Sequence, residues 1–195
     1  TTDTNSAADT VAENAADNVA VGITASASDA DVDDDTTYSM AIDTSACDGW
    51  FDIGASDGIV RVDGSGELNY EAATSCSITI TSTSDDNSAT TLSDSIAITD
   101  ANDQAPTFTG VDTTPSSAEM ASGAFETYTI VDTDSSGSYG CTLGGADSGD
   151  ITCSISGTTV SLSYTATTNY ESPADADTDN NYEFTVIIDD GAVNV

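Results

Sequence analysis

The chain has 195 residues, enough for one large domain or two of about 100. Its formal charge is −34, with Arg61 as its one basic residue, no lysine and no histidine, against 37% hydrophobic residues. That balance repels nucleic acid and anionic membrane surfaces. It also excludes His-dependent triads, imidazole metal sites, Schiff-base lysines, Lys–Asn isopeptide crosslinks and Gly-Lys-Ser/Thr phosphate loops.

Carboxylate pairs of the glycosidase kind survive this filter. Among 35 acidic residues, however, no pair is distinctive, and the expectation is that the chain is not an enzyme. A disordered acidic tail is disfavoured by alternating runs such as Ser77-Ile78-Thr79-Ile80-Thr81. No apolar run reaches the roughly 18 residues of a membrane span, so no membrane insertion is expected. The chain opens at Thr1 with neither an initiating Met nor a signal peptide, and reads as a mature, processed or excerpted piece.

Strand signals dominate in chain order. In the first half, Val19–Ala27, Tyr38–Ile42, Gly58–Val62, Cys76–Thr83 and Leu92–Thr99 are predicted as strands. In the second, the predicted strands are Phe125–Val131, Tyr139–Leu143, Ile151–Ile155, Thr159–Tyr164 and Tyr182–Ile188. Ala7–Ala16 is the one helix-like patch, and an edge strand fits it equally well. Turn residues recur at the spacing of an all-β sandwich. Cys47 and Cys76 precede the centre of the chain, and Cys141 and Cys153 follow it. An even count so divided points to disulfides within each half and an oxidising, extracellular setting. Zinc is the alternative, but Cys-x₂-Cys spacing is absent.

An internal repeat sets the domain count. Gly49 through Glu71 aligns without gaps on Gly149 through Glu171, an offset of 100. Asp29-Ala30-Asp31 matches Asp132-Thr133-Asp134, and Asp85-Asp86 matches Asp189-Asp190. The expected domains are 1–103 and 104–195, the second with a short last strand over Ala192–Val195. Asp3-Thr4-Asn5 at the start resembles the central Asp100-Ala101-Asn102-Asp103, and Val195 joined to a following Thr1 would rebuild that linker. The chain therefore reads as one two-domain unit of a head-to-tail series of copies, covalent or filamentous.

The central stretch Asp100-Ala101-Asn102-Asp103-Gln104-Ala105-Pro106 crowds oxygen ligands ahead of a proline that forces an extended exit. Such ligands suit Ca²⁺, which takes roughly six to eight oxygens at about 2.3–2.6 Å. Acidic residues also recur in each half at four equivalent places. These are Glu13, Asp29/Asp31, Glu71 and Asp85/Asp86 in the first, and Glu119, Asp132/Asp134, Glu171 and Asp189/Asp190 in the second.

This set, in this order, resembles the cadherin repeat. The resemblance rests on Val11-Ala12-Glu13-Asn14, Asp29-Ala30-Asp31, Leu68-Asn69-Tyr70-Glu71, Asp85, and Asp100-Ala101-Asn102-Asp103-Gln104-Ala105-Pro106-Thr107-Phe108. It is looser in the second half, where Glu119-Met120 stands for Glu-Asn. It implies two tandem seven-stranded Greek-key β-sandwiches with Ca²⁺ bound between consecutive repeats. At the internal junction the implied ligands are Glu13, Glu71, Asp100, Asn102, Asp103, the carbonyls of Ala101 and Gln104, and Asp132, Asp134 and Asp189. At the outer junction they are Glu119 and Glu171, with Asn169 as a further candidate, and Asp3, Asn5, Asp29, Asp31 and Asp85 of the next copy. Asn69 and Asn169 depart from the family's usual Asp, and Ser6 replaces the last Asp of the linker, each losing a carboxylate. The resemblance also favours Cys47–Cys76 and Cys141–Cys153 as the disulfides, the latter buried.

The leading functional expectation is an exported, prokaryotic, extracellular rod, calcium-stiffened and structural or adhesive, built from copies of itself. A calcium-dependent carbohydrate-binding module using Trp50 or an exposed tyrosine on surface glycans is the alternative. Trp50-Phe51 beside Ile53 reads more readily as core.

Overall fold

The alternation of β-branched and hydroxyl residues across Ser75–Ser84 produces the longest inward-facing row among the described residues. Cys76, Ile78, Ile80, Ser82 and Ser84 are buried while the residues between them face outward. The computed structural model describes residues 1–30, 35–64, 68–134 and 138–191, and it divides into two units, Thr1–Ala101 and Asn102–Val195. Asp31 and Ala192–Val195 lie outside the described residues. Both units are all-β, as expected.

Unit 1 contains β1 (Thr2–Asp3), β2 (Thr10–Ala12), β3 (Ala20–Ser26), β4 (Thr36–Ile42), β5 (Phe51–Ile53), β6 (Ile59–Val62), β7 (Ser75–Ser84) and β8 (Ala89–Thr99). They form two four-stranded sheets, ordered β1-β3-β6-β5 and β2-β8-β7-β4. Val21 and Ile23 of β3, Val60 of β6, Ile78 and Ile80 of β7 and Ile96 of β8 are fully buried in the core these sheets enclose. Burying each such side chain is worth roughly 1.5–3 kcal/mol. The leading segment serves both sheets: β1 pairs with β3, and β2 runs parallel to β8 with Val11 opposite Ile98. Of the two readings open for Ala7–Ala16, the edge strand forms, because it buries Val11 in the core. Trp50, 6% exposed, is a core residue.

Unit 2 contains β9 (Thr107–Thr109), β10 (Gly123–Val131), β11 (Gly140–Gly144), β12 (Ile151–Ser156), β13 (Thr159–Tyr164) and β14 (Thr185–Asp189). Four form a sheet ordered β12-β13-β10-β9, and β11 pairs with β14. Its buried core is smaller (Tyr128, Ile130, Ile151, Val160 and Leu162) and is filled out by half-buried aromatics, among them stacked Phe125 and Tyr164. The repeat-equivalent hairpins differ in register. Phe51 faces Val62 in unit 1, whereas Ile151 faces Tyr164 in unit 2, a slip of two residues. An even slip keeps each side chain on its original face, so the apolar pattern tolerates it.

Each unit has its own disulfide, Cys47–Cys76 and Cys141–Cys153. The first is fully buried, while Cys141 and Cys153 are only half-buried. This corrects the expectation of a buried second bridge: Cys153 sits on β12, the edge strand of its sheet. The strand expected from Tyr182 begins at Thr185 instead, because Tyr182 and Glu183 belong to the loop before it.

Gly22 occupies a register shift between β3 and β6 at φ +98°, and a Cβ there would meet the Ala8 carbonyl oxygen at 2.3 Å. Gly22→Ala combines positive-φ strain with a backbone clash, and is expected to destabilise unit 1 by on the order of 3 kcal/mol. Urea unfolding followed by fluorescence of Trp50, the only tryptophan, measures it.

Candidate metal centre

In unit 1 the acidic residues gather where β2 and β8 end. Glu13 directly follows β2 and is 5% exposed. Both of its carboxylate oxygens are used: Tyr70 N donates to Oε2 at 2.6 Å and Ala101 N to Oε1 at 2.7 Å. The Asn69-Tyr70-Glu71 turn and the chain after β8 are thus both tied to one buried anion. Glu13, Glu71 and Asp100 each place a carboxylate oxygen within 4.8 Å of the others. Three like charges at that spacing repel one another, and a divalent cation reverses the sign of the interaction.

Unit 2 carries its own arrangement at the start of its chain. Asp134, 3% exposed, accepts Asp103 N at 2.8 Å and Gln104 N at 2.6 Å on the same oxygen, Oδ2. Its Oδ1 is buried with no hydrogen-bond partner among the described residues, as is Oδ1 of Asn102. Asp132 Oδ1 accepts Asp134 N at 3.0 Å. Asn102 Nδ2 donates to the Asp190 carbonyl at 3.3 Å, so Asp190, 8% exposed, lies against the linker residue. Asp189 is exposed, and its Oδ1 accepts Gly191 N at 2.7 Å. A buried carboxylate oxygen lacking a donor is costly unless a cation meets it, so the oxygen-only donor set fits a hard metal ion such as Ca²⁺.

The outer set is more dispersed. Asp3 Oδ1 accepts Asn5 N and Thr24 N, and its carboxylate clusters with those of Asp9 and Asp94 within 4.8 Å. Burial, then Asp94 and Asp3, push the Asp9 carboxyl above its ordinary value. Asn5 caps its own turn by accepting Ala7 N, and Asp29 takes the Ser88 hydroxyl. Asp85, Glu119 and Glu171 are exposed. Sequence reasoning missed Asp9 and Asp94, and of the Asp189/Asp190 pair it named, it took Asp189 rather than Asp190 as the ligand. The first two come together only through strand pairing, while the burial of Asp190 was hidden by its exposed neighbour in the Asp-Asp pair.

Unit 2 also contains a groove of about 960 Å³, whose lining includes Phe108, Phe125, Tyr128, Tyr164 and Tyr182.

Two β-sandwich units, with buried acids binding the backbone where strands end, give the chain the fold of tandem cadherin-like repeats. Among solved structures it is similar to extracellular cadherin domains 1–5 of protocadherin gamma B2, with TM-score 0.65 and 19% identity over 95% of this chain and 35% of that one. It is also similar to domains 1–4 of Drosophila N-cadherin, with TM-score 0.59 and 22% identity over 94% of this chain and 43% of that one. For domains 1–2 of human protocadherin-24 the TM-score is 0.61 and the identity 18%, over 93% and 89% of the two chains. The chain thus spans less than half of the first two. No protein-family model and no curated protein matches it in sequence.

Glu13→Gln can return only one of the two backbone hydrogen bonds and leaves a buried N–H unpaired. It is expected to lower the stability of unit 1 by about 1–3 kcal/mol in EDTA, measured by urea unfolding on Trp50 fluorescence.

Proposed function

We propose that this chain is a calcium-stiffened structural or adhesive module of an extracellular surface protein, in which Ca²⁺ joins one repeat to the next. The internal ligand set is Glu13, Glu71 and Asp100 from unit 1, with Asn102, Asp103, Asp132, Asp134 and Asp189 and the carbonyls of Ala101 and Gln104. The observation that carries this reading is Asp134: a buried carboxylate with one oxygen committed to two backbone N–H groups and the other lacking a donor. Glu13 supports it from within unit 1, where it anchors Ala101 beside the cluster with Glu71 and Asp100. At the outer ends, Glu119 and Glu171 meet Asp3, Asn5, Asp29, Asp31 and Asp85 of another copy, giving a head-to-tail filament. Its formation depends on cations, because a charge of −34 makes copies repel. The disulfides support an exported, oxidised setting.

Carbohydrate binding is the weaker reading. Trp50 is committed to the core, so the aromatic groove of unit 2 is what remains to support it.

Electron microscopy and small-angle scattering with Ca²⁺ and with EDTA test the proposal. Extended rods should form in Ca²⁺ and loosen in chelator, and Glu13→Gln/Glu71→Gln should reproduce the chelated state with Ca²⁺ present. Rods that persist unchanged in EDTA contradict it.

A further inference from the structure

The loop between Glu171 and β14 has no counterpart in unit 1. There the strand β7 begins at Ser75, four residues after Glu71, whereas β14 begins at Thr185, 14 residues after Glu171. The added stretch contains Asp175-Ala176-Asp177-Thr178-Asp179-Asn180. Asp175, Asp177 and Asp179 each place one carboxylate oxygen within 4.8 Å of the others.

Asp175 is the decisive residue. It is 2% exposed, and its Oδ2 accepts both Asp179 N at 2.7 Å and Asn180 N at 3.3 Å. Its Oδ1 is buried with no hydrogen-bond partner among the described residues. Nearby Asp147, 3% exposed, provides the contrast. Its Oδ1 accepts Ala176 N and its Oδ2 accepts Glu183 N, both at 2.6 Å, so both oxygens are consumed in clamping the stem of the loop. Asn180 Nδ2 ties the loop tip to the Tyr170 carbonyl at 3.2 Å. The loop is therefore built and held, yet one deep carboxylate oxygen within it has no donor.

The spacing fits a single-ion loop. Hard cations of calcium's size are held by oxygens at the first, third and fifth places of such loops, with a sharp turn at the sixth that normally requires glycine. Here the three aspartates take those places, and Asn180, at φ +68°, adopts the left-handed turn that asparagine tolerates.

We infer that Asp175, Asp177 and Asp179 form a Ca²⁺ site within unit 2 alone, independent of any ion shared between repeats. Ca²⁺ suits the site better than Mg²⁺, which demands near-ideal octahedral geometry and retains its waters, and the absence of nitrogen and sulfur ligands disfavours zinc.

Native mass spectrometry of the full chain, titrated with Ca²⁺, counts the ions. Asp177→Asn/Asp179→Asn keeps an oxygen at residue 179 to accept Asn181 N, and both side chains are exposed, so the fold is retained. This variant should bind one Ca²⁺ fewer than the unaltered chain, and Glu13→Gln/Glu71→Gln should keep that ion. An unchanged count in Asp177→Asn/Asp179→Asn overturns the inference, and so does loss of every ion in Glu13→Gln/Glu71→Gln. A count that falls in the first variant but not in the second sinks the inter-repeat reading and leaves the loop site standing.

Discussion

A backbone N–H donating to a buried carboxylate is the interaction on which this molecule's turns and strand ends depend. Side-chain cations cannot take that role, since Arg61 is the only one in the chain. Glu13, Asp134, Asp147 and Asp175 are all buried, and each accepts two backbone N–H groups. Charge-assisted hydrogen bonds of this kind are strong enough to offset much of the desolvation of an anion. The four fall into two kinds. Glu13 and Asp147 spread their donors over both oxygens and act as ties. Asp134 and Asp175 take both donors on one oxygen, and the other, buried, has no hydrogen-bond partner among the described residues.

The two units solve one packing problem with different materials. Unit 1 fills its interior with valine and isoleucine from both four-stranded sheets. Unit 2 has fewer fully buried aliphatic residues and relies on Phe125, Tyr164, Tyr182 and Phe184, whose rings meet edge-on, tilted or stacked. The two-residue slip of the β12–β13 hairpin fits this looser economy, since it changes neighbours without changing faces.

Much of the fold was legible because period-2 patterning and turn residues report directly on sheets with one wet face. Ile78 and Ile80 announced β7, and the Gly49–Glu71 repeat announced a second copy of the hairpin. Phe51–Ile53 was not anticipated as a strand, being too short for alternation to register. The site was partly legible. Glu13 and Asp134 stood in recurrent motifs, whereas Asp9 and Asp94 are brought to Asp3 only by long-range pairing. Asp147 and Asp175 were hidden differently: among so many aspartates, only burial separates a structural one from a solvated one.

Arg61 has a consequence of another sort. It lies within β6, opposite Asp52, and its guanidinium is held by Asp57 at 2.8 Å. A protease that cleaves after basic residues therefore finds one scissile position in 195, and that position is hydrogen-bonded into a sheet. With no lysine anywhere, amine-directed reagents find no side chain to modify. A surface built this way resists digestion by trypsin-like enzymes through composition as much as through stability.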